Sequence, residues 1–212
     1  HPLRPDRWYA KVERAPAMTV PPLADVRGQS MLAAMPGGPE GRHWRSVLNE
    51  IQMLLHEHPV NLARETRGVP AVNGIWFWGA GRRDGIPRTA YRRVIADHPV
   101  AQGLAIAAGK PHAPLPGSAR EWLDGAGRTG VEAVILETLR VPAAYGDMSA
   151  WRTGLESLER DWFGPLLAAL RAGRIGMISI FAPGATRTFT AETTRQDLRY
   201  FWRRRRPLAA YM

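Results

Sequence analysis

Apolar residues recur at helical spacing in two long stretches of the chain. The first runs from Arg42 to His58, and Pro59 ends it because proline denies the α region to the residue before it. The second runs from Trp151 to Leu170, with Gly173 as its stop and an expected bend at Pro165. Both stretches predict amphipathic helices, each with one apolar face turned to a core.

Continuous apolar runs bounded by glycine or proline predict strands that are buried on both faces. The most apolar run lies in the Trp-rich segment before Gly79, and we expect Val72–Trp78 to be the central strand. The other predicted strands are Gly103–Ala107, Val131–Leu139 and Ile175–Phe181, the last in a hairpin with Arg187–Thr194. Because strands and helices alternate, the sequence predicts an α/β fold with a mainly parallel central sheet and helices on both faces.

Breaker residues and a helix-start motif suggest how the chain is organised. Residues 1–43 are rich in proline and glycine and predict an arm with one short strand. Residues 44–185 form the expected α/β core domain, in which Ser118-x-x-Glu121 starts a helix that Gly125 closes. Residues 186–212 are predicted to form a β-hairpin and a basic aromatic tail.

Composition narrows the classes of function. Hydrophobic residues make up 45% of the 212 residues, enough for a packed core, and no apolar run is long enough for a membrane helix. The chain start has no apolar signal region, so a cytoplasmic location is expected. Cysteine is absent, which excludes disulfides, thiolate nucleophiles and zinc–sulfur sites. No metal or other cofactor is predicted.

A net charge of +10 rests almost wholly on arginine, which is suited to phosphate and carboxylate but is also common wherever a genome is rich in G and C. The glycines at the end of the Trp-rich segment would let backbone N–H groups approach an anion, and two arginines follow them. This anion-binding hypothesis concerns Gly79, Gly81, Arg82 and Arg83.

Polar residues gather near the exit of the first helix. One reading is a pocket, and the other is a structural hydrogen-bond network that locks the helix exit to the following segment. The residues are Asn49, Gln52 and His56 on one flank of the helix, and Asn61, Arg64 and Asn73 after it. We favour the network for the last three.

Two motifs in fixed order resemble a known family. His58-Pro59-Val60-Asn61-x-x-Arg64 is followed by Asn73-Gly74-Ile75-Trp76-Phe77-Trp78-Gly79-Ala80-Gly81. Together they resemble the central segment of the archaeal-type cofactor-independent phosphoglycerate mutases of the alkaline phosphatase superfamily. The resemblance covers roughly residues 55–182 and is closer still to a degenerate proteobacterial group that is labelled mutase-like or RpfE-type regulatory. It implies a truncated version of the alkaline phosphatase fold.

The chain departs from the mutases where their metal ligands are expected. The resemblance implies an Asp-Glu-x-x-His-x-Gly-Asp motif after the third strand, but here Val141–Asp147 reads Val-Pro-Ala-Ala-Tyr-Gly-Asp, with Tyr145 about where the histidine would fall. No histidine follows position 112. A two-metal phosphotransfer site needs several such ligands, so no catalytic residue is predicted.

The favoured hypothesis is a non-catalytic regulatory or partner-binding protein that binds a small anionic ligand or another protein. One alternative is an enzyme with other chemistry, in which Glu65 or His56 is the acid–base group, or a phosphate-ester enzyme whose catalytic residues lie upstream of this segment. Another alternative is a nucleic-acid binder that uses the Arg-rich tail from Tyr200 to Arg206.

Overall fold

The computed structural model describes residues 2–82, 85–86, 88–125, 130–184 and 187–200. It divides into two compact units. Unit 1 comprises residues 1–86 and 144–146, and unit 2 comprises residues 87–143 and 147–212. No helix in the described ranges is long and apolar enough to cross a membrane.

Unit 1 contains one long helix and several short elements. In chain order they are β1 (Pro2–Arg4), β2 (Arg7–Trp8), α1 (Leu23–Val26), α2 (Met31–Ala34), α3 (Gly41–His56) and α4 (Pro59–Glu65). The strands β1 and β2 pair antiparallel. The predicted helix of Arg42–His58 is confirmed as α3. Helix α4 begins at Pro59. Proline has no N–H, which costs nothing here because N–H groups in the first turn of a helix have no partner within the helix. The His58 ring caps the helix by accepting a hydrogen bond from the Val60 N–H.

Unit 2 is built on a parallel sheet of three short strands. Strand β3 (Arg93–Ile95) lies between β4 (His112–Ala113) and β5 (Glu132–Val134), and helices α5 (Pro99–Ala107) and α6 (Ala119–Gly125) follow β3 and β4. Ile95 and Ala96 are fully buried. The predicted α/β class with a mainly parallel sheet is confirmed, as is the helix closed at Gly125.

Three strand predictions are wrong in detail. Val72–Trp78 is extended but belongs to no sheet, and the central strand is β3. Gly103–Ala107 lies within α5, because Pro99 starts a helix that runs through the apolar residues. The expected Val131–Leu139 strand is shorter, since β5 is Glu132–Val134 and the Ile135 N–H bonds to the Ile95 carbonyl just beyond it.

The C-terminal half of unit 2 contains a nearly continuous helix. After α7 (Arg140–Tyr145), α8 (Met148–Leu158) passes through a π-helical turn, Glu159–Phe163, into α9 (Gly164–Arg171). Pro165 has no N–H to donate, and the Gly164 N–H bonds to the Glu159 carbonyl, five residues back. The predicted helix of Trp151–Leu170 is therefore confirmed, and the disturbance expected at Pro165 takes the form of a wide turn. Leu158 and Trp162 pack against Ala119 of α6.

The last strands form a hairpin rather than extending the parallel sheet. Strand β6 (Met177–Pro183) pairs antiparallel with β7 (Thr188–Thr194), and a short 3₁₀ helix, Asp197–Arg199, follows. The predicted hairpin is confirmed. Over the residues that the structure covers, β6 has no place in the parallel sheet, which corrects the expectation of a fourth central strand.

Candidate functional site

In unit 1 the side chain of Asn61, which belongs to the first motif of the resemblance, bonds to Val72, the residue just before the second motif. Its amide nitrogen donates to the carbonyls of Leu55, at 2.7 Å, and Val72, at 2.9 Å, and its oxygen accepts from the Val72 N–H at 2.8 Å. Asn61 is only 3% exposed. The amide thus pairs with both backbone groups of Val72, as a neighbouring strand would, and ties them to the end of α3.

Other polar residues near the helix exit lie along the same segment. The Arg64 Nε donates to the Pro70 carbonyl at 2.9 Å. The Gln52 side chain lies beside Gly74, where an added Cβ would come 3.4 Å from the Gln52 Cγ. The remaining predicted residues of this group, Asn49, His56 and Asn73, are exposed. The geometry of Asn61 and Arg64 is that of side chains that organise residues 70–72.

The aromatic residues of the second motif are held within unit 1. The Trp76 indole N–H donates to the Pro21 carbonyl at 3.0 Å, and Phe77 packs edge-on against Trp44 with ring centroids 5.0 Å apart. These contacts show an apolar run that packs without being a strand: Trp76 and Phe77 contact other parts of unit 1, and the backbone of Val72 bonds to Asn61. The apolar pattern alone could not distinguish the two arrangements.

The predicted anion-binding residues come directly after these aromatic residues in the sequence. Trp78, Gly79 and Ala80 line a cavity of about 270 Å³ together with Met18, Val20 and Pro22. Gly79 has φ +71°, and apart from the adjacent residues no atom of the described part of the chain lies within 4 Å of a Cβ built there or at Gly81. Arg82 is exposed, whereas Arg83 lies outside the described residues. The backbone at Gly79 and Gly81 is therefore open on one side, next to one described arginine.

A second groove of unit 1 was not identified from the sequence. It has a volume of about 360 Å³ and is lined by Val12, Arg14, Pro16, Glu40, His43 and Trp44. The Arg14 guanidinium and the Ala17 N–H both hydrogen bond to the Glu40 carboxylate and hold its pKa below the ordinary value of a glutamate. Arg14 and Glu40 lie 26 residues apart in the sequence, so no local motif indicated this groove.

Charged residues also collect in unit 2 where the parallel strands end. Asp97 and His98 follow β3, and Glu137 follows β5. The His98 Nε2 lies 3.9 Å from a Glu137 oxygen, which is also paired with the Arg140 guanidinium. Asp97 accepts a hydrogen bond from the Leu115 N–H at 3.1 Å. The sequence does contain an indication of this edge. His98-Pro99 is typical of a helix start, and a strand would be expected to end just before that helix.

These side chains do not fit a two-metal centre of the kind that the resemblance implies. The Arg140 cation lies against Glu137 and would repel a divalent ion. One oxygen of Asp97 already accepts a hydrogen bond from the Leu115 N–H. Within the described part of the chain no three histidine, aspartate or glutamate side chains are grouped as metal ligands.

The stretch in which the resemblance implies metal ligands, residues 140–147, forms one short helix and caps the next. Residues Arg140–Tyr145 form α7, and the Asp147 carboxylate caps α8 by accepting from the Ala150 N–H at 2.9 Å. In unit 1, Gly28 has φ +76° and lies against the carbonyl of Ala144, so closely that a Cβ at Gly28 would overlap the oxygen. The Tyr145 side chain is exposed.

Comparison with known proteins relates the chain to one group of enzymes. It is 30% identical over 172 residues to the 2,3-bisphosphoglycerate-independent phosphoglycerate mutase 2 of Methanothermobacter thermautotrophicus, a match that covers 73% of this chain and 42% of that protein. It is 25% identical over 170 residues to the corresponding mutase of Methanothrix thermoacetophila, which covers 73% of this chain and 43% of that protein. A probable mutase of this kind from Geobacter sulfurreducens is 37% identical over 65 residues, 31% of this chain and 16% of that protein.

The chain thus spans about two fifths of the length of the first two relatives. No protein-family model matches it, and no solved structure gives a significant match. The matches support a distant relationship with the cofactor-independent phosphoglycerate mutases, and the α/β fold is consistent with a truncated version of theirs.

Proposed function

We propose that this phosphoglycerate-mutase-like chain is a regulatory or partner-binding protein that binds an anionic ligand or an acidic partner without metal-dependent phosphotransfer. The observation that carries the proposal is that residues 141–147 offer no free metal ligand. Residues 141–146 contain neither histidine nor carboxylate, and the one acidic residue, Asp147, caps α8. A carboxylate that accepts a capping hydrogen bond holds its helix in place and is less available to an ion.

The Gly28–Ala144 contact supports the same conclusion. Backbone lies directly against backbone there, which leaves no room for an ion or a substrate phosphate between them. At the charged edge of unit 2, the guanidinium of Arg140 occupies the oxygen of Glu137 that faces His98. In both places the chain's own atoms fill positions that a bound ion would need to have open.

The ligand site that we propose is the segment of Gly79, Gly81 and Arg82, with Arg83 the next residue in the sequence. Open backbone at the two glycines leaves room for an anion to reach N–H groups, and an exposed arginine offers two further donors in a planar fork. The high positive charge of the chain attracts anions to this surface at low ionic strength.

The proposal is tested by assay and calorimetry on the same purified protein. We expect no phosphoglycerate mutase turnover with Mn²⁺ or Zn²⁺ added, and no binding of either ion tighter than about 10⁻⁶ M, near −8 kcal/mol. Turnover that depends on added metal would overturn the non-catalytic assignment.

For the ligand site, phosphoglycerate is titrated into the wild type, Arg82→Ala and the control Arg88→Ala, which removes another exposed arginine. We expect weakened binding only in Arg82→Ala, and the loss of one charged hydrogen-bond donor corresponds to about 1.5–3 kcal/mol. Equal binding by all three proteins would exclude this segment as the anion site.

A further inference from the structure

Three large aromatic residues follow one another in unit 1, and the third differs from the other two. The Trp76 indole N–H donates to the Pro21 carbonyl, and the Phe77 ring packs edge-on against Trp44. Trp78 makes neither a hydrogen bond nor a ring contact with any described residue, and it is 39% exposed. Open aromatic surface of this kind is characteristic of ligand pockets, where a rigid ring provides contact area.

Trp78 lines the cavity of about 270 Å³ described above, together with Met18, Val20, Pro22 and Ala80. These residues are all apolar, so the cavity favours an apolar group. Pockets that hold drug-sized molecules measure about 300–1000 Å³. The cavity is slightly smaller than that range and therefore suits a compact group, of about the size of one aromatic ring.

Hydrogen bonds hold the lining of this cavity in place. Thr19 exchanges two backbone hydrogen bonds with Gly37, at 3.0 and 2.9 Å. The bond from the Trp76 indole to the Pro21 carbonyl joins the same segment to the aromatic run. An ordered lining lowers the free-energy cost of binding, because few groups have to be fixed when a ligand enters.

Backbone donors lie directly beside the apolar lining. The N–H groups of residues 79–82 make no hydrogen bond to any described residue. Glycine at positions 79 and 81 has no side chain to shield these groups. The exposed guanidinium of Arg82 adds charged donors in a planar fork. The apolar cavity is thus bordered by groups that complement an anion.

We propose that this site binds a small molecule in which a phosphate or carboxylate group is attached to a single aromatic ring. This inference rests on the anion site proposed above and adds what the ligand carries besides its charge. The ring occupies the cavity against Trp78, and the anionic group meets the free N–H groups of residues 79–81 and the Arg82 guanidinium. A wholly polar anion such as phosphoglycerate uses only the second set of contacts.

Two residues of the lining favour a ring over an alkyl group. The indole of Trp78 contacts another ring in an offset or edge-on arrangement, which is worth more than the buried area alone. The thioether of Met18 also makes favourable contacts with an aromatic ring. An alkyl group of the same size would gain only the buried area.

Isothermal titration calorimetry on the whole chain compares each aromatic anion with its methyl counterpart: phenyl phosphate with methyl phosphate, and phenylacetate with acetate. The two pairs show whether the anionic group is a phosphate, a carboxylate or either. In at least one pair, we expect the aromatic anion to bind the wild type at least about tenfold more tightly.

Variants of the ring residue test where this preference arises. Trp78→Ala should bring the ratio of the two affinities close to one, whereas Trp78→Phe keeps a ring and should retain most of the preference. Trp8→Ala is the matched control, because it removes another exposed tryptophan, and it should leave the ratio unchanged. The ligand comparison on the wild type and on Trp78→Phe remains decisive even if Trp78→Ala fails to fold.

Arg82→Ala separates the aromatic preference from the anion site itself. It removes a contact that both members of a pair share, so it should weaken both by the same factor. Equal affinity of the wild type for both members, with both weakened in Arg82→Ala, would leave the anion site standing and exclude the aromatic ligand. An aromatic preference that persists in Trp78→Ala would exclude the proposed ring position. Absence of binding by all four anions would overturn the anion site and the aromatic ligand together.

Discussion

The side chain of Asn61 bonds to both the N–H and the C=O of Val72, at 2.8 and 2.9 Å. A third bond, to the Leu55 carbonyl, fixes the amide at the end of α3. One buried side chain thus replaces a neighbouring strand for a segment that belongs to no sheet.

Replacement of Asn61 should be costly. Asn61→Ala leaves the Leu55 and Val72 groups without their partner, and we expect the free energy of unfolding to fall by about 1–3 kcal/mol. Urea denaturation measures this. Asn73→Ala, at an exposed position twelve residues on, is the control and should stay within about 0.5 kcal/mol of the wild type. Equal stability of the two variants would contradict the structural role of Asn61.

Arg64 and Arg82 should respond in opposite ways to substitution. Arg64→Ala removes the hydrogen bond to the Pro70 carbonyl, and a loss of about 0.5–1.5 kcal/mol is expected. Arg82→Ala, at an exposed position, should leave the melting temperature unchanged and weaken only ligand binding. Thermal melts with calorimetry on both proteins separate the two roles. The reverse pattern, with Arg64→Ala thermally silent but unable to bind, would assign the ligand site to Arg64.

The contact between Gly28 and Ala144 can be isolated by comparing two glycines. Gly28→Ala and Gly68→Ala both place a side chain at positive φ, which costs about 1–2 kcal/mol. At Gly28 the new Cβ would meet the Ala144 carbonyl, whereas at Gly68 no atom of the described residues, other than the adjacent ones, lies within 4 Å of it. Gly28→Ala should therefore be less stable than Gly68→Ala by about 1–3 kcal/mol, the usual range for overpacking. Equal losses in urea denaturation would mean that the contact does not form.

The lowered pKa of Glu40 predicts a pH dependence of stability. A carboxyl whose pKa is lower in the folded state stabilises the fold above its unfolded pKa, near 4.3, and this contribution is lost as the pH falls through the folded value. Arg14→Ala removes the main cause and should raise the pKa of Glu40. An NMR titration of the carboxyl measures this, with Arg42→Ala as the control. An unchanged pKa in Arg14→Ala would refute the ion pair.

Hydrogen exchange should be slowest at β3. The N–H groups of Val94 and Ala96 donate to the Pro111 and Ala113 carbonyls, both at 3.0 Å, and these residues lie in the core of unit 2. The amides of residues 74–78, which belong to no strand, should exchange faster. The opposite order, measured by NMR or mass spectrometry, would restore the sequence-based choice of central strand.

The helices of this chain were predictable because their signals are local. Pro59 and Gly173 mark boundaries that depend only on backbone conformation, and Ser118 and Glu121 mark the start of α6. The central strand was not predictable, because short apolar runs suit a strand, a buried helix or an irregular segment equally. The backbone of Val72 is paired by the side-chain amide of Asn61, eleven residues earlier, instead of by a strand. No periodic pattern in the sequence reveals such a bond.

The π turn before α9 also determines which way the helix faces. Leu158, Trp162, Leu166 and Leu170 follow one another at a constant spacing of four, and an ideal α-helix would rotate each about 40° past the last. A wide turn winds more residues into one revolution, which cancels part of that drift and keeps the row on one side. Pro165 therefore favours a turn with more residues than an α-helical turn has. A residue with an N–H there would let the turn tighten and swing Leu166 and Leu170 away from the face that Leu158 and Trp162 bury.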